Sequence, residues 1–164
     1  MAQKQEFLTE YELEVFKLVN EGKNPQEIAD QINSDLRFEG QKERRKENIR
    51  KTRVVVRNKI ERELRRIATA NRLDLDLAKI PKDTGMMIAF DWVHNTKVYL
   101  FFTAEKGILA WWEHECSKNC EPICNETLEL ILKERKIEFP PETRKVSLLE
   151  QFRYVVSIIQ EKGE

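Results

Sequence analysis

Three cysteines and one histidine lie close together in the second half of the chain. The segment His114-Glu-Cys116-Ser-Lys-Asn-Cys120-Glu-Pro-Ile-Cys124 contains all three cysteines and one of the two histidines. Three thiolates and an imidazole form a complete tetrahedral ligand set for Zn²⁺, so these four residues are candidate metal ligands. The spacing is short for a zinc site, because the common sites join two ligand pairs that are distant in sequence. A single turn and the start of a helix would have to surround the ion.

The same segment permits other chemistry. Pro122 predicts a helix start, and the positive end of a helix dipole lowers the pKa of a thiol placed there. Cys120 or Cys124 could then act as a redox-sensing thiol that the other cysteine resolves. An iron–sulfur cluster and ordinary, partly buried cysteines are two further interpretations. The residues therefore leave zinc, redox sensing, an iron–sulfur cluster and a purely structural role open.

Positive charge is concentrated in one part of the chain. The 164 residues carry 29 Lys and Arg and 29 Asp and Glu, so the net charge is zero. Residues 37–72, however, contain 14 Lys and Arg against 5 Asp and Glu, a net charge of +9. A helix with mixed ion pairs would balance the two signs more evenly, so this segment is a candidate surface for phosphates. A solvated charged helix is the alternative interpretation.

The basic segment is predicted to follow two short helices. Thr9 and Glu12 are spaced as a capping box, Gly22 predicts the end of the first helix, and Pro25 suits the first turn of the second. A third helix is predicted from near Arg44 to about Asn71. Apolar residues recur along it at helical spacing: Ile49, Val56, Ile60, Leu64 and Ile67. This stripe predicts either packing within the chain or a coiled-coil seam with a second copy.

The N-terminal third also resembles a known family. The residues that carry the resemblance are Leu8-Thr9, Glu14-Val15, Leu18-Val19, Glu21-Gly22, Glu27-Ile28-Ala29, Asn48-Ile49-Arg50, Val56 and Lys59-Ile60. In this pattern, residues 8–60 resemble the helix-turn-helix of the LuxR/GerE transcription regulators and the related region of sigma factors. Two departures are visible: the turn before the third helix is about ten residues longer than in the family, and Arg53 replaces a usually apolar residue.

The resemblance implies a recognition helix that enters the major groove of DNA. Arg and Asn side chains can read guanine and adenine edges there, whereas Lys and other Arg side chains neutralise phosphates. The candidate DNA-binding residues are Arg44, Arg45, Lys46, Asn48, Arg50, Lys51, Arg53, Arg57 and Lys59. Family correspondence predicts that Asn48, Arg50, Lys51 and Arg53 face the groove. It predicts that Arg44, Arg45, Arg57 and Lys59 lie nearer the DNA backbone.

The second half of the chain reads as sheet followed by helices. Aromatic and β-branched runs at 86–93, 97–103 and 107–112 are separated by short connections and predict a three-stranded antiparallel sheet. Two helices should follow, from Pro122 and from Ser147, and cover one face of that sheet. The predicted fold class is α+β, with a helix-turn-helix domain at 1–72 that has a long third helix. A second domain at 73–164 contains the three strands and two helices.

The motifs that are absent also shape the functional expectation. The sequence has no phosphate-binding glycine loop, nucleophile elbow or HExxH motif, so an enzyme is not expected. It has neither a long apolar stretch nor a signal-peptide core, which predicts a cytoplasmic protein without membrane contact.

We expect a DNA-binding transcription regulator that is homodimeric and contacts double-stranded DNA and, in some settings, the transcription machinery. Its second domain would sense a metal, a redox state or a ligand, or would dimerise. The alternative is a protein-interaction or RNA-binding adaptor with a structural Cys/His metal site. Zinc is the only cofactor expected.

Overall fold

The computed structural model describes residues 7–163 and contains five α-helices and four β-strands within them. Met1 to Glu6, on which the expectation about a signal peptide falls, and Glu164 lie outside this range. The helices are α1 (Glu10–Asn20), α2 (Pro25–Asn33), α3 (Lys46–Ala70), α4 (Glu121–Arg135) and α5 (Leu148–Lys162). The strands are β1 (Asp74–Lys79), β2 (Met86–Asp91), β3 (Thr96–Thr103) and β4 (Gly107–Trp112). The predicted α+β class is confirmed.

Local capping signals define the first two helices. Thr9 Oγ1 accepts a hydrogen bond from the backbone N–H of Glu12, and the Glu12 carboxylate accepts one from the N–H of Thr9, so the predicted capping box is confirmed. Asn24 and Glu27 form the same arrangement at the start of α2. Gly22 adopts a positive φ of 87° just after α1, a conformation that glycine takes without steric cost. These caps satisfy backbone groups that the ends of a helix leave unpaired.

The sheet has four antiparallel strands in the order β1-β2-β3-β4, not the three that the sequence predicts. The additional strand, β1, reads Asp-Leu-Asp-Leu-Ala-Lys and contains no β-branched or aromatic residue. Aspartate is depleted in strands, so the residue preferences of this segment do not predict a strand. β1 lies at the edge of the sheet, where polar side chains reach solvent, and its register with β2 is irregular.

Helices cover both faces of the sheet. Side chains of β3 alternate between two cores, so that Val98, Leu100 and Phe102 pack on α1 and α3. Tyr99 and Phe101 face the other way and pack on α4 and α5. The prediction that two helices cover one face is confirmed. The opposite face is also covered, which gives three layers: helices, sheet and helices.

The apolar stripe of α3 is part of the first of these cores. Val56, Ile60 and Leu64 are buried against the sheet of the same chain, and Ile67 packs beside them. The interpretation of the stripe as a coiled-coil seam is therefore wrong, because the chain itself covers these side chains. Ile49, one further stripe residue, is buried in a smaller core shared by α1, α2 and the start of α3. The division into domains at residue 72 stays a prediction, and the core of α3 and the sheet spans that boundary.

Candidate metal centre and nucleic-acid interface

The four candidate metal ligands come from the end of the sheet and the start of α4. His114 and Cys116 lie in the segment after β4, Cys120 is the N-cap residue of α4, and Cys124 lies in its first turn. The backbone N–H of Cys124 donates to the carbonyl of Cys120 at 3.0 Å. Residues four apart on a helix lie on one face, so both thiols point in the same direction. The short spacing therefore places all four side chains on one side of this turn.

The ligand atoms lie at separations that are compatible with a zinc site. The Nε2 atom of His114 lies 3.3 Å from the sulfur of Cys116, 3.5 Å from that of Cys120 and 3.7 Å from that of Cys124. All four atoms lie within 4.8 Å of one another. Bond lengths of about 2.3 Å for Zn–S and about 2.0 Å for Zn–N place tetrahedral nitrogen and sulfur about 3.5 Å apart. The cysteines are free thiols, and the predicted cluster is present at metal-binding distances.

A backbone hydrogen bond determines which nitrogen of His114 faces the thiols. Its Nδ1 lies 2.7 Å from the carbonyl oxygen of Trp112. A carbonyl can only accept, so Nδ1 carries the proton and Nε2 presents its lone pair to the sulfurs. Metal-bound histidines usually donate their second N–H to such an acceptor, which fixes the tautomer and the ring orientation.

Trp111 provides a second supporting contact and shields the cluster on one side. Its indole N–H donates to the sulfur of Cys124 at 3.4 Å. Its ring stacks on Phe152 of α5 with 3.9 Å between centroids. The cluster is thus attached to the core beneath α4 and α5, and Cys124 is itself buried there. An N–H···S hydrogen bond stabilises thiolate character on a metal ligand.

The thiols and the imidazole have shifted acidity. In the cationic form of His114, Nε2 also donates, and its hydrogen bond to the thiolate lowers the pKa of Cys120 to about 7. Burial, followed by the neighbouring Cys124 and Cys120, raises the pKa of Cys116 to about 12. The hydrogen bond to the carbonyl of Trp112 raises the pKa of His114. A coordinated cation removes such protons, because a metal-bound thiol is deprotonated. The low pKa of Cys120 is also what a redox-sensing thiol needs, so that interpretation stays open.

Replacing Trp111 by phenylalanine should weaken metal binding. The variant keeps an aromatic ring against Phe152 but removes the N–H···S hydrogen bond to Cys124. Loss of such an outer contact lowers metal affinity by about 10-fold. Competition with a chelator measures the change. Trp112→Phe is the matched control, because its indole bonds Asp91 instead and should leave the affinity unchanged. Equal metal affinities in the two variants would contradict a supporting role for Trp111.

The candidate DNA-binding residues lie in α3 and in the two residues before it, and the start of this helix is firmly attached. Asn33, the last residue of α2, exchanges two hydrogen bonds with the backbone of Arg44, at 2.8 and 2.9 Å. Tyr11 of α1 forms a hydrogen bond with Thr52 of α3 at 3.0 Å. Side chains of all three helices, including Val15, Ile28 and Ile49, form a core of their own. These contacts keep the N-terminal part of α3 in one orientation relative to α1 and α2.

The structure divides the nine candidate residues into two groups. Five of them are engaged within the chain. Arg53 and Arg57 both bind the Asp83 carboxylate, at 2.9 and 2.7 Å, and Lys59 binds Glu12 at 2.8 Å. The guanidinium of Arg44 stacks on the ring of Tyr11, at 4.2 Å, and Asn48 accepts the N–H of Arg45 to cap α3. The remaining four, whose side chains are exposed and in no ion pair within residues 7–163, are Arg45, Lys46, Arg50 and Lys51. We call these four residues the α3 basic surface.

Asp83 is the carboxylate that binds Arg53 and Arg57, and the sequence did not predict this contact. It lies in the connection between β1 and β2, 26 residues beyond Arg57, and adopts a positive φ of 61°. The only signal in the sequence was the turn-forming Asp-Thr-Gly at 83–85. Burial opposes ionisation of Asp83, but the hydrogen bond and charge of Arg57, with a smaller contribution from Arg53, outweigh it and lower the pKa. The two arginines are thus held on the sheet side of α3.

Removing the charge of Asp83 should destabilise the fold in a pH-dependent manner. Asp83→Asn suits the positive φ but loses the charge-assisted hydrogen bonds to Arg53 and Arg57, at a cost of about 2 kcal/mol in the free energy of unfolding. Because folding lowers the pKa of Asp83, this stabilisation is complete above the unfolded value of about 3.9 and is lost as the pH falls through the folded value. Urea unfolding at neutral and acidic pH measures it. A difference between variant and wild type that does not shrink on acidification would contradict this origin.

Comparison of the chain with models of known protein families, with curated proteins and with solved structures found no match. Within residues 7–163, no helix is sufficiently long and apolar to cross a membrane. The fold and the two sites define an α+β protein with a Cys/His cluster at metal-binding distances beside α4. The α3 basic surface lies on a different helix, and α3 packs on the face of the sheet opposite to α4.

Proposed function

We propose that this protein is a DNA-binding transcription regulator that contacts double-stranded DNA through the α3 basic surface. One observation carries the proposal: four cationic side chains at the start of α3 are exposed and have no acidic partner in the described part of the chain. Further along α3, Arg53, Arg57, Lys59 and Arg66 pair with carboxylates, whereas Arg62 and Arg65 are exposed without an ion pair in the described residues and lie about three turns away. When unpaired cations on a rigid helix neutralise DNA phosphates, they displace the counterions condensed on the DNA, and this release is the main source of affinity for DNA.

Two exposed valines on the same helix favour contact with duplex DNA over the alternative that α3 is only a solvated charged helix. Val54 and Val55 follow Lys51 by one turn, and 46% and 45% of their surfaces are exposed. Solvation explains exposed charges but not adjacent β-branched apolar side chains. In a major groove, such side chains pack against thymine methyl groups while Arg50 and Lys51 reach base edges or phosphates. The exposed face of α3 therefore combines the two kinds of contact that direct readout uses.

The attachment of α3 to α1 and α2 supports a positioning role. The Asn33 hydrogen bonds and the small core around Ile49 fix the start of α3, where the α3 basic surface lies. Binding surfaces on rigid elements lose less conformational entropy when they bind. We assign this function to the helix-turn-helix that the LuxR/GerE resemblance predicts. The longer segment between α2 and α3 would form the turn.

We propose that the Cys/His cluster holds one zinc ion. The donor set of three sulfurs and one nitrogen suits zinc, and four protein ligands leave no open coordination position for a substrate. His114 would coordinate through Nε2, while the three thiolates neutralise the ion. Bound zinc would link the segment after β4 to the start of α4 and thereby hold α4 against the core. Such a closed site would have a structural or sensing role.

We also propose that the regulator acts as a homodimer in the cytoplasm. Two copies would present their α3 basic surfaces to half-sites about one helical turn apart, which increases affinity without further contacts. Since the apolar stripe of α3 is buried within the protomer, the dimer would use a different surface. Sedimentation analysis of the zinc-loaded protein at micromolar concentration tests this part. A monomer with and without DNA would contradict it.

A comparison of nucleic acids tests the DNA-binding proposal. Fluorescence anisotropy would be measured for a mixed-sequence DNA duplex, its single strand and an RNA duplex of the same sequence, all at low salt. Preference for the DNA duplex is expected, because B-form DNA has a major groove wide enough for a helix and A-form RNA does not. Failure to bind the DNA duplex would contradict the proposal. Tighter binding of RNA would instead favour the adaptor alternative.

A further inference from the structure

Arg135 is a buried arginine that has no carboxylate partner among residues 7–163. It lies in the last turn of α4 and exposes only 2% of its surface. One terminal nitrogen, Nη2, donates to the carbonyl oxygens of Thr84 and Phe102, at 3.0 and 3.1 Å. Its Nε atom is buried without any hydrogen-bond partner. A buried charge without a counter-ion is costly and in most proteins is paired.

Arg135 forms part of the wall of a cleft with a volume of about 410 Å³. The cleft lies between the end of α1, the connection between β1 and β2, and the C-terminal end of α5. This volume is within the range of small-molecule sites. At one side of the cleft, the backbone of Gly163 packs closely on Pro81. A Cβ atom at position 163 would lie only 2.5 Å from the Cβ atom of Pro81. The cleft is therefore bounded by parts of the chain that pack closely.

The charge of the cleft is strongly positive. Four cationic side chains line it, and one acidic side chain, Asp83, accompanies them. Asp83 is already bound by Arg53 and Arg57. The other cations lining the cleft are Lys82, Arg135 and Lys162, and none of them forms an ion pair within the described residues. Low-dielectric walls strengthen the field that such a group of like charges produces.

We propose that this cleft binds a small anion that bears a phosphate or carboxylate group. Arg135 would hold the anion from the buried side through charge-assisted hydrogen bonds, and Lys82 and Lys162 would hold it from the rim. Burial lowers the pKa of Arg135 to about 10, so the guanidinium still carries its charge at neutral pH. The site is separate from the Cys/His cluster and from the α3 basic surface. The proposal does not depend on DNA binding.

Titration calorimetry of the zinc-loaded wild-type protein tests the proposal, with inorganic phosphate and citrate as separate probes at constant ionic strength. Saturable binding of at least one probe is expected, and comparison of the two identifies the preferred group. Lys82→Ala combined with Lys162→Ala should weaken binding about fivefold or more, because both exposed side chains are removed from the rim without loss of buried contacts. Lys145→Ala, a change of an exposed lysine outside the cleft, should bind like wild type.

Arg135→Met should abolish saturable binding altogether. If that variant does not fold, the rim variant decides alone. Absence of binding by the wild type, or equal binding by wild type and the rim variant, would overturn the proposal.

Glu164 follows Gly163 in sequence and carries a carboxylate, so a further variant addresses a carboxylate supplied by the chain itself. Glu164→Gln removes this negative charge. If the natural occupant is a free anion, this variant should bind the probes at least as well as the wild type does. Binding that appears only in this variant would show that the chain fills its own cleft and would overturn the proposal.

Discussion

Replacing Cys120 by serine is expected to abolish the proposed binding of zinc. The sulfur of Cys120 lies 3.5 Å from His114 Nε2 in a set of four ligand atoms, and a serine hydroxyl at that position is a poor zinc ligand. Loss of an outer-shell contact already lowers zinc affinity 10- to 100-fold, so loss of a ligand should lower it by about 100-fold or more. Elemental analysis of protein purified without a metal-affinity tag should find one zinc per wild-type chain and little in the variant.

Glu115→Gln is the matched control for this prediction. Glu115 is exposed and lies between His114 and Cys116, but it does not belong to the cluster. The control should keep a full equivalent of zinc and the thermal stability of the wild type. If Cys120→Ser retained a full equivalent, or if the wild type bound none after reconstitution with zinc, the cluster would not be a metal centre. Reversible oxidation of Cys120 in metal-free protein would then support the redox interpretation.

Replacing Arg50 and Lys51 together by alanine is expected to weaken binding of duplex DNA by about 30-fold or more. This corresponds to about 2 kcal/mol for two lost contacts with phosphate or base. Both side chains are exposed and form no ion pair in the described part of the chain, so the free energy of unfolding should change by less than about 0.5 kcal/mol. Fluorescence anisotropy and urea unfolding of the same preparation separate a binding effect from a folding effect.

Arg62→Ala combined with Arg65→Ala is the control for that variant. These two arginines are also exposed on α3, but they lie about three turns beyond the α3 basic surface. Their removal subtracts the same charge from the chain and should weaken binding much less. Equal losses in the two double variants would mean that affinity follows net charge alone, and the α3 basic surface would lose its special role.

Local signals in the sequence predicted much of the secondary structure. Thr9 and Glu12 form the expected capping box, and the aromatic runs form three strands of one antiparallel sheet. Trp111 and Trp112 point to opposite faces, as alternation requires, since they belong to different cores. The Cys/His cluster was also predictable, because eleven residues contain all its ligands. Each of these features depends on residues that are close in sequence.

Features that depend on distant residues were not predictable in this manner. β1 has little strand propensity and is held by pairing with β2 at the sheet edge. Arg53 and Arg57 resemble other cations of α3 in sequence, and only the fold brings Asp83 to them. The apolar stripe of α3 could not reveal whether its partner was a second copy or the sheet. Tertiary contacts decided all three cases.

The salt dependence of duplex binding tests the central claim most directly. Each phosphate neutralised by a cation contributes about −0.9 to the slope of log affinity against log salt concentration. If the four residues of the α3 basic surface contact phosphates, the wild-type slope should be about −3 to −4. The Arg50→Ala and Lys51→Ala double variant should reduce its magnitude by nearly two. A wild-type protein that does not bind duplex DNA at low salt, or whose binding does not change with salt, would contradict the account.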